Sequence, residues 1–301
     1  MSRTRLFLAA SLGLALLRAP ASGAEGPYAA AIAAARRSLW QAVNSGRCAS
    51  ATAAIMADGK VVYSEGFAMA DRERAVPVDR DTRFNMGSIS KVYVAAAIML
   101  LVDDGKVALD QPVTEYLPDF KMADERYQKI TVRMLLNHTS GLPGTQAANS
   151  VAFAYHEKFR QETLATLAQA HLKHEPGARA VYCNDGFTLA EMIVERRSGQ
   201  KYPEFLAQRV FKPLGLERTG VSVGDLRGQP AALYYDPQTG KPHPLESLSL
   251  LGAGGLSATS EDLCRFAEVF QPGTRLFRDA SLAEMRKAQP SASWGKLRHP
   301  E

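Results

Sequence analysis

Three kinds of apolar pattern follow one another along this chain. The run "LFLAASLGLALL" (6–17) is unbroken, is preceded by Arg3 and Arg5 and is closed by Arg18. It is short for a bilayer span, and "ASGA" (21–24) sets small residues where a leader would be cut, so residues 1–24 read as a secretory signal. No cysteine follows the run, so a lipid anchor of the bacterial lipoprotein kind is not expected. Next, "PYAAAIAAARRSLWQAVNSG" has the makings of an alanine-rich helix ended by Gly46, and "ASATAAIMADGKVVYSEGFAMAD" gives two apolar runs meeting at Asp58-Gly59, a hairpin signal. From Ser88 onward the period becomes helical. "KVYVAAAIMLLVDDG" ends at Gly105, "TVRMLLNHTSG" is a short helix running into a turn, "RQETLATLAQAHLKH" is expected to run up to Pro176, and "GFTLAEMIVERRSG" ends at Gly199. In "SEDLCRFAEVF", Ser260 is the expected N-cap, with Leu263, Phe266, Ala267 and Phe270 on one apolar face.

Composition adds little to this picture and excludes some functions. With 301 residues, 46% hydrophobic and 22% charged, the chain can bury a large core. The formal net charge of +5 falls to about +2 once Arg3, Arg5 and Arg18 leave with the signal, too little to argue for nucleic acid. Cys48, Cys183 and Cys264 lie far apart and form no CxxC pair. One disulfide is open to them in an oxidising compartment, but three widely spaced cysteines fit small buried thiols better.

The chemistry gathers in "NMGSISKVYVAAAIMLL" (85–101). A serine hydroxyl is a weak nucleophile and needs a base within hydrogen-bond reach. Residues i and i+3 share a helix face, so Lys91 can aim its amine at the Ser88 oxygen. An early helical turn also offers unpaired backbone N–H groups to a developing oxyanion, and the apolar wall that follows would lower the lysine pKa. The SxxK spacing occurs three times, at Ser88/Lys91, Ser198/Lys201 and Ser293/Lys296. Ser198 sits at a helix C-terminus and Ser293 in a polar stretch; only Ser88 opens a long apolar helix. Of ten tyrosines, one begins a YxN triplet, "YCN" at Tyr182 to Asn184, just ahead of a helix.

Taken with "ITVRMLLNHTSGLPG" and "GAGGLSATSEDLCRFAEVF" in this order, these motifs resemble the serine β-lactamase and penicillin-binding protein superfamily. The likeness is greatest to class C β-lactamases and the esterases and D-aminopeptidases grouped with them, and covers roughly residues 30 to 290. The resemblance implies an α/β (α+β) fold, in which an antiparallel sheet flanked by helices carries an all-helical insertion from about Thr82 to about Phe211. The site would lie in the cleft between them, within one hydrolase domain over residues 25–301. It implies that Ser88 is acylated, that Lys91 takes its proton, that Tyr182 relays a proton to the leaving group, and that Asn184 binds substrate. The Ser88 backbone N–H would form half of the oxyanion hole. A tyrosine with an ordinary pKa near ~10 can work at neutral pH only beside a cation such as Lys91. The absence of an SxN triplet argues against the class A arrangement. The expected substrate is a β-lactam, an ester or a D-amino acid peptide, handled in the periplasm or outside the cell without metal or organic cofactor. No nucleic-acid partner and no stable membrane span after signal removal are expected.

The family's third motif, a Lys-Thr-Gly or His-x-Gly triplet on a later strand, has no match after "GGLSATSEDL" (254–263). "RSG" at Arg197 to Gly199 and "RTG" at Arg218 to Gly220 come too early and read as a helix end and a turn. The chain stops at "SWGKLRHPE", where the next strand is expected, so the final strands, the second oxyanion donor and a C-terminal helix are expected to be missing. A piece of a longer reading frame explains this best, and a weak or inactive hydrolase follows from it. A non-catalytic exported penicillin- or peptidoglycan-binding relative is the alternative. His171 and His174 in "HLKH" have metal-pair spacing but no third ligand, and fit a solvated helix end. His138 fits a turn residue, Met86 breaks the G-x-S-x-G elbow, and Cys183 fits a small filler beside the site.

Overall fold

The computed structural model describes residues 26–145 and 158–289, apart from 222, 237, 244, 248 and 275. The expected leader, the Ser293/Lys296 pair and most of "TQAANSVAFAYHEKF" lie outside the described residues.

Alanine, the best helix former, builds α1 (Ala29–Asn44), and Gly46 closes it at φ 74°. Strands β1 (Ser50–Ala57) and β2 (Lys60–Asp71) then pair antiparallel. Asp58 (φ 49°) and Gly59 (φ 71°) both adopt the left-handed backbone that a two-residue hairpin demands. β2 also pairs with β3 (Val76–Pro77), completing a three-stranded sheet. Gly66 is forced here, because a Cβ would stand 2.4 Å from the Val78 carbonyl oxygen.

The remaining strands are very short. They are β4 (Phe84–Asn85), β5 (Gly220–Val221), β6 (Val223–Asp225), β7 (Tyr234–Tyr235), β8 (Pro242–His243), β9 (Leu245–Ser247) and β10 (Leu256–Ala258). β10 lies between β4 and β5, with Ser257 opposite both Asn85 and Gly220. β6 pairs with β9 and β7 with β8.

Between β4 and β5 the chain is helical: α2 (Ser90–Asp103), α3 (Val132–Leu136), α4 (Phe159–Ala168), α5 (Asp185–Ser198), α6 (Tyr202–Leu206) and α7 (Lys212–Leu214). Strands separated by this whole segment are thus neighbours through β10, and the helices form an excursion from one small sheet. Around β10 come α8 (Leu251–Gly254) and α9 (Ser260–Ala267), followed by α10 (Asp279–Arg286).

Helix α2 is the axis of the core. Ten of its 14 residues are buried, among them Tyr93, Val94, Ile98 and Leu101 at 0% exposure. Each large apolar side chain buried so fully is worth about 1.5–3 kcal/mol. Tyr93 stacks on Phe266 of α9 with ring centroids 3.8 Å apart, tying the helices on either side of β10 together. The same core takes in Leu189 and Ile193 of α5 and Leu135 of α3.

Two expectations about helix ends need correction. The helix from Phe159 stops at Ala168 instead of running to Pro176, because Asp124 accepts the Leu172 N–H at 3.1 Å and draws the chain away. The cap of α9 is Thr259, whose hydroxyl accepts from the Asp262 N–H, and Ser260 is already helical. The buried apolar side chains there are Phe266 and Val269, whereas Ala267 is exposed. No helix among the described residues is long and apolar enough to cross a membrane.

Candidate active site

A serine becomes useful as a nucleophile only if the backbone holds it still, and the approach to Ser88 is anchored on both sides. The Met86 N–H donates to the Leu256 carbonyl at 3.0 Å, extending the β4–β10 pairing. Asn85 uses its whole amide: Oδ1 accepts from the Gly87 N–H at 2.7 Å and Nδ2 donates to the Gly254 carbonyl at 3.0 Å. Gly87 takes φ 51° and opens a 3₁₀ turn, Gly87–Ile89, that leads into α2. Past it, the Ser90 hydroxyl accepts from the Leu256 N–H at 3.1 Å. Ser88 therefore occupies the 3₁₀ turn ahead of the α-helix, exposed at the head of a buried element.

Lys91 lies within this reach. Its Nζ is 3.2 Å from Ser88 Oγ and donates to the Ala253 carbonyl at 2.7 Å. Only 5% of the residue is exposed, and burial pushes its pKa below the ordinary lysine value, with Tyr182 opposing the shift. When the amine is neutral, its lone pair can accept the Ser88 proton along the contact now seen. Tyr182 completes the group: its hydroxyl hydrogen-bonds Ser88 Oγ, and the Lys91 ammonium stands 4.7 Å from its ring centroid. Asn184, just ahead of α5, donates from Nδ2 to Thr145 Oγ1 at 2.8 Å. Residues 94 positions apart thus meet at one oxygen.

His138 also belongs to this neighbourhood, at φ 63° in the turn after α3. Its Nδ1 accepts the Cys183 N–H at 3.1 Å, and its ring lies 4.6 Å from that of Tyr182 and 5.1 Å from that of Phe187. Burial first, and Lys91 second, lower its pKa to about 4, so it is neutral at physiological pH. Its ring contact places it as a prop behind Tyr182. The Cys183 thiol is buried, and burial raises its pKa to about 11, which fits a filler and not a reactive thiolate. All three cysteines are free.

Beside Ser88 opens a cavity of about 440 Å³, walled by Val92, Ala95, Met99, Leu136, Phe187 and Phe270. Arg133 is on its rim but is consumed, donating to Asp110 at 2.6 and 2.9 Å and to Glu284. The two other triplets considered earlier are engaged elsewhere. Gly199 terminates α5, and the Thr219 hydroxyl donates to Asp262 at 2.9 Å. His171 is exposed, and His174 Nδ1 lies 2.8 Å from the Glu175 carbonyl.

A serine held at a turn, a buried lysine three residues on, and a tyrosine from a distant loop form one hydrogen-bonded group. The family profile described as Beta-lactamase matches residues 30–300. This chain belongs to that family. Within the family's reach, esterase EstB of Burkholderia gladioli is 31% identical over 217 residues, 68% of this chain and 54% of that protein. Penicillin-binding protein 4 of Amycolatopsis lactamdurans is 30% identical over 250 residues, covering 79% of this chain and 65% of that one. The crystal structure of a D-stereospecific amidohydrolase from Streptomyces sp. superimposes with a TM-score of 0.73 at 27% identity, covering 87% of this chain and 79% of that chain. The chain thus spans between about half and two thirds of the length of these curated relatives.

The Ala253 carbonyl was not foreseen from sequence. Its only trace was the small-residue run "GAGG" (252–255), which lets α8 press against α2.

Proposed function

We propose that this chain is an exported serine hydrolase that works through an acyl-serine intermediate. In the reaction, Ser88 Oγ attacks a carbonyl carbon while its proton passes to the neutral Lys91 amine. The carbonyl oxygen becomes an oxyanion, which the Ser88 N–H would meet. The leaving alcohol or amine takes a proton delivered through Tyr182, and water then reverses the sequence to release the acid. Asn184 would steady the substrate. The observation that carries this reading is the convergence of Lys91 and Tyr182 on Ser88 Oγ. Residues 1–24 would direct the chain out of the cytoplasm, and the mature hydrolase domain would run from residue 25.

Among ester, amide and β-lactam, the apolar cavity favours an ester or amide whose acyl group is uncharged and hydrophobic. The guanidinium on its rim is already paired with two carboxylates, leaving it poorly placed to bind a substrate carboxylate. The existence of an esterase and an amidohydrolase among the similar proteins supports the same class.

Intact-protein mass spectrometry after incubation with a fluorophosphonate tests the reaction. The expected result is a single adduct that Ser88→Ala abolishes, with turnover of nitrophenyl esters rising from acetate to octanoate. An unmodified protein, or an adduct retained in Ser88→Ala, refutes it. Penicillin binding without any adduct would favour a non-catalytic binding protein instead.

A further inference from the structure

The buried carboxylate of Glu191 is not explained by the reaction just described. It sits on α5, 1% exposed. Oε2 accepts the Gly252 N–H at 2.7 Å, and Oε1 accepts from Arg160 Nε of α4 at 2.9 Å. Both oxygens thus receive hydrogens, the pattern of an ionised carboxylate. Burial pushes its pKa up, and the Arg160 guanidinium and the Gly252 N–H pull it back.

Gly252 belongs to α8, and the next residue supplies the carbonyl that accepts from Lys91 Nζ. The contact between Glu191 and α8 is tight: a Cβ on Gly252 would lie 2.7 Å from Val94 Cγ2 and 3.0 Å from Glu191 Oε2. A short helix of four residues has few hydrogen bonds of its own, so its position depends on such ties. We infer that Glu191, held by Arg160, is a positioning residue: it fixes α8 so that the Ala253 carbonyl holds the Lys91 amine against Ser88. This rests on the proposed acyl-serine reaction.

The groups facing each end are few. Lys91 is faced by Tyr182 and Cys183 ahead of α5 and by His138 after α3. Glu191 is faced by Arg160 from α4, by Glu195 on its own helix and by Tyr202 from α6.

The test is the rate of Ser88 labelling by a fluorophosphonate across pH, in the parent, Glu191→Gln and Arg160→Lys. An amide at 191 presents N–H groups to donors, so it cannot accept from both Gly252 and Arg160. Misplacement of the lysine by a fraction of an ångström should slow the plateau labelling rate in Glu191→Gln by about tenfold to a hundredfold. Loss of the Ala253 carbonyl removes a hydrogen bond that favours the charged amine, so the acid-side midpoint should also move down. Arg160→Lys, which keeps a cation beside Glu191, should recover most of the rate. A midpoint that rises toward the free lysine value would report water entering an opened cleft and overturn the proposal. So would an unchanged plateau rate, or failure of both variants to fold, either of which assigns the pair to stability alone. A parent that takes no label removes the reaction itself, whereas a labelled parent with an indifferent Glu191→Gln removes only the brace.

Discussion

Two helices of similar length lead opposite lives in this molecule. α1 has 16 residues and none of them is buried, and its Trp40 is 59% exposed. α2 has 14 residues, ten of them buried. Alanine supplies seven residues of α1 and three of α2, yet both segments are helical, so helix formation does not separate them. Their surroundings do. α1 lies along the β1–β2 hairpin with its charges in water, Arg36 reaching Glu65 at 2.6 Å. α2 is enclosed by α5, α8 and α9 and carries Lys91 into the same apolar setting. On α2 the enclosure that buries Ile98 and Leu101 also lowers the pKa of the Lys91 amine. Packing on this side of the molecule is thus part of the proposed chemistry.

The sharpest way to break that comparison is to remove the base. Lys91→Ala should reduce Ser88 acylation by about 10²–10⁴-fold, the range for a positioned acid or base. Because the amine must be neutral to accept a proton, labelling of the parent should rise as pH rises through the lowered lysine pKa. A pH-independent rate, or one retained in Lys91→Ala, would divorce the enclosure of α2 from catalysis. Stopped-flow acylation with an activated ester measures both.

Next in size is the core itself. Leu101→Ala, at a position with 0% exposure, should cost about 2–5 kcal/mol in urea unfolding through lost burial and the cavity left behind. A loss below 1 kcal/mol would mean that α2 is less enclosed than its side chains indicate.

How far these features could be read from the sequence follows the same division. Long elements with a clear period, such as α1, α2, α5 and the β1–β2 hairpin, were legible, and so were Ser88, Lys91 and the Tyr182 triplet. Two-residue strands such as β4 and β5 were not, since alternation needs more residues than they contain. The expected cap at Ser260 is one residue late because Thr259 is also a good cap and only the backbone distinguishes the two. The Ala253 carbonyl and the Glu191–Arg160 pair were invisible for a different reason. They come from segments that only tertiary packing brings together, and a carbonyl carries no side-chain signature. His138 was legible as a turn residue, but its support of Tyr182 depends on a ring contact across 44 positions.

A smaller effect concerns that histidine. Its imidazole titrates near 6.5 when unfolded and near 4 when folded, so between those values the unfolded chain binds the extra proton. The stabilising contribution is complete above about pH 6.5 and is lost as pH falls toward about 4, worth about 1–2 kcal/mol once partial solvent screening is allowed for. His138→Asn tolerates the left-handed backbone and can still accept the Cys183 N–H. It should flatten the dependence of urea midpoint on pH in this window. An unchanged slope would assign the acid sensitivity to other groups.

The smallest effect returns to α1. Trp40→Ala removes the largest side chain of that helix, yet most of its surface is already in water, so the loss should be about 1 kcal/mol or less. Substituting Arg36 should matter as little, since the Glu65 ion pair is exposed. The informative comparison is with Leu101→Ala under the same denaturant conditions. If Trp40→Ala destabilises as much as the core substitution does, the tryptophan must be covered in solution by a surface other than the described residues, and the contrast between the two helices would no longer hold. If the loss stays small while Leu101→Ala is costly, burial separates two helices of similar length, and with it the helix that holds Lys91 from the helix that does not.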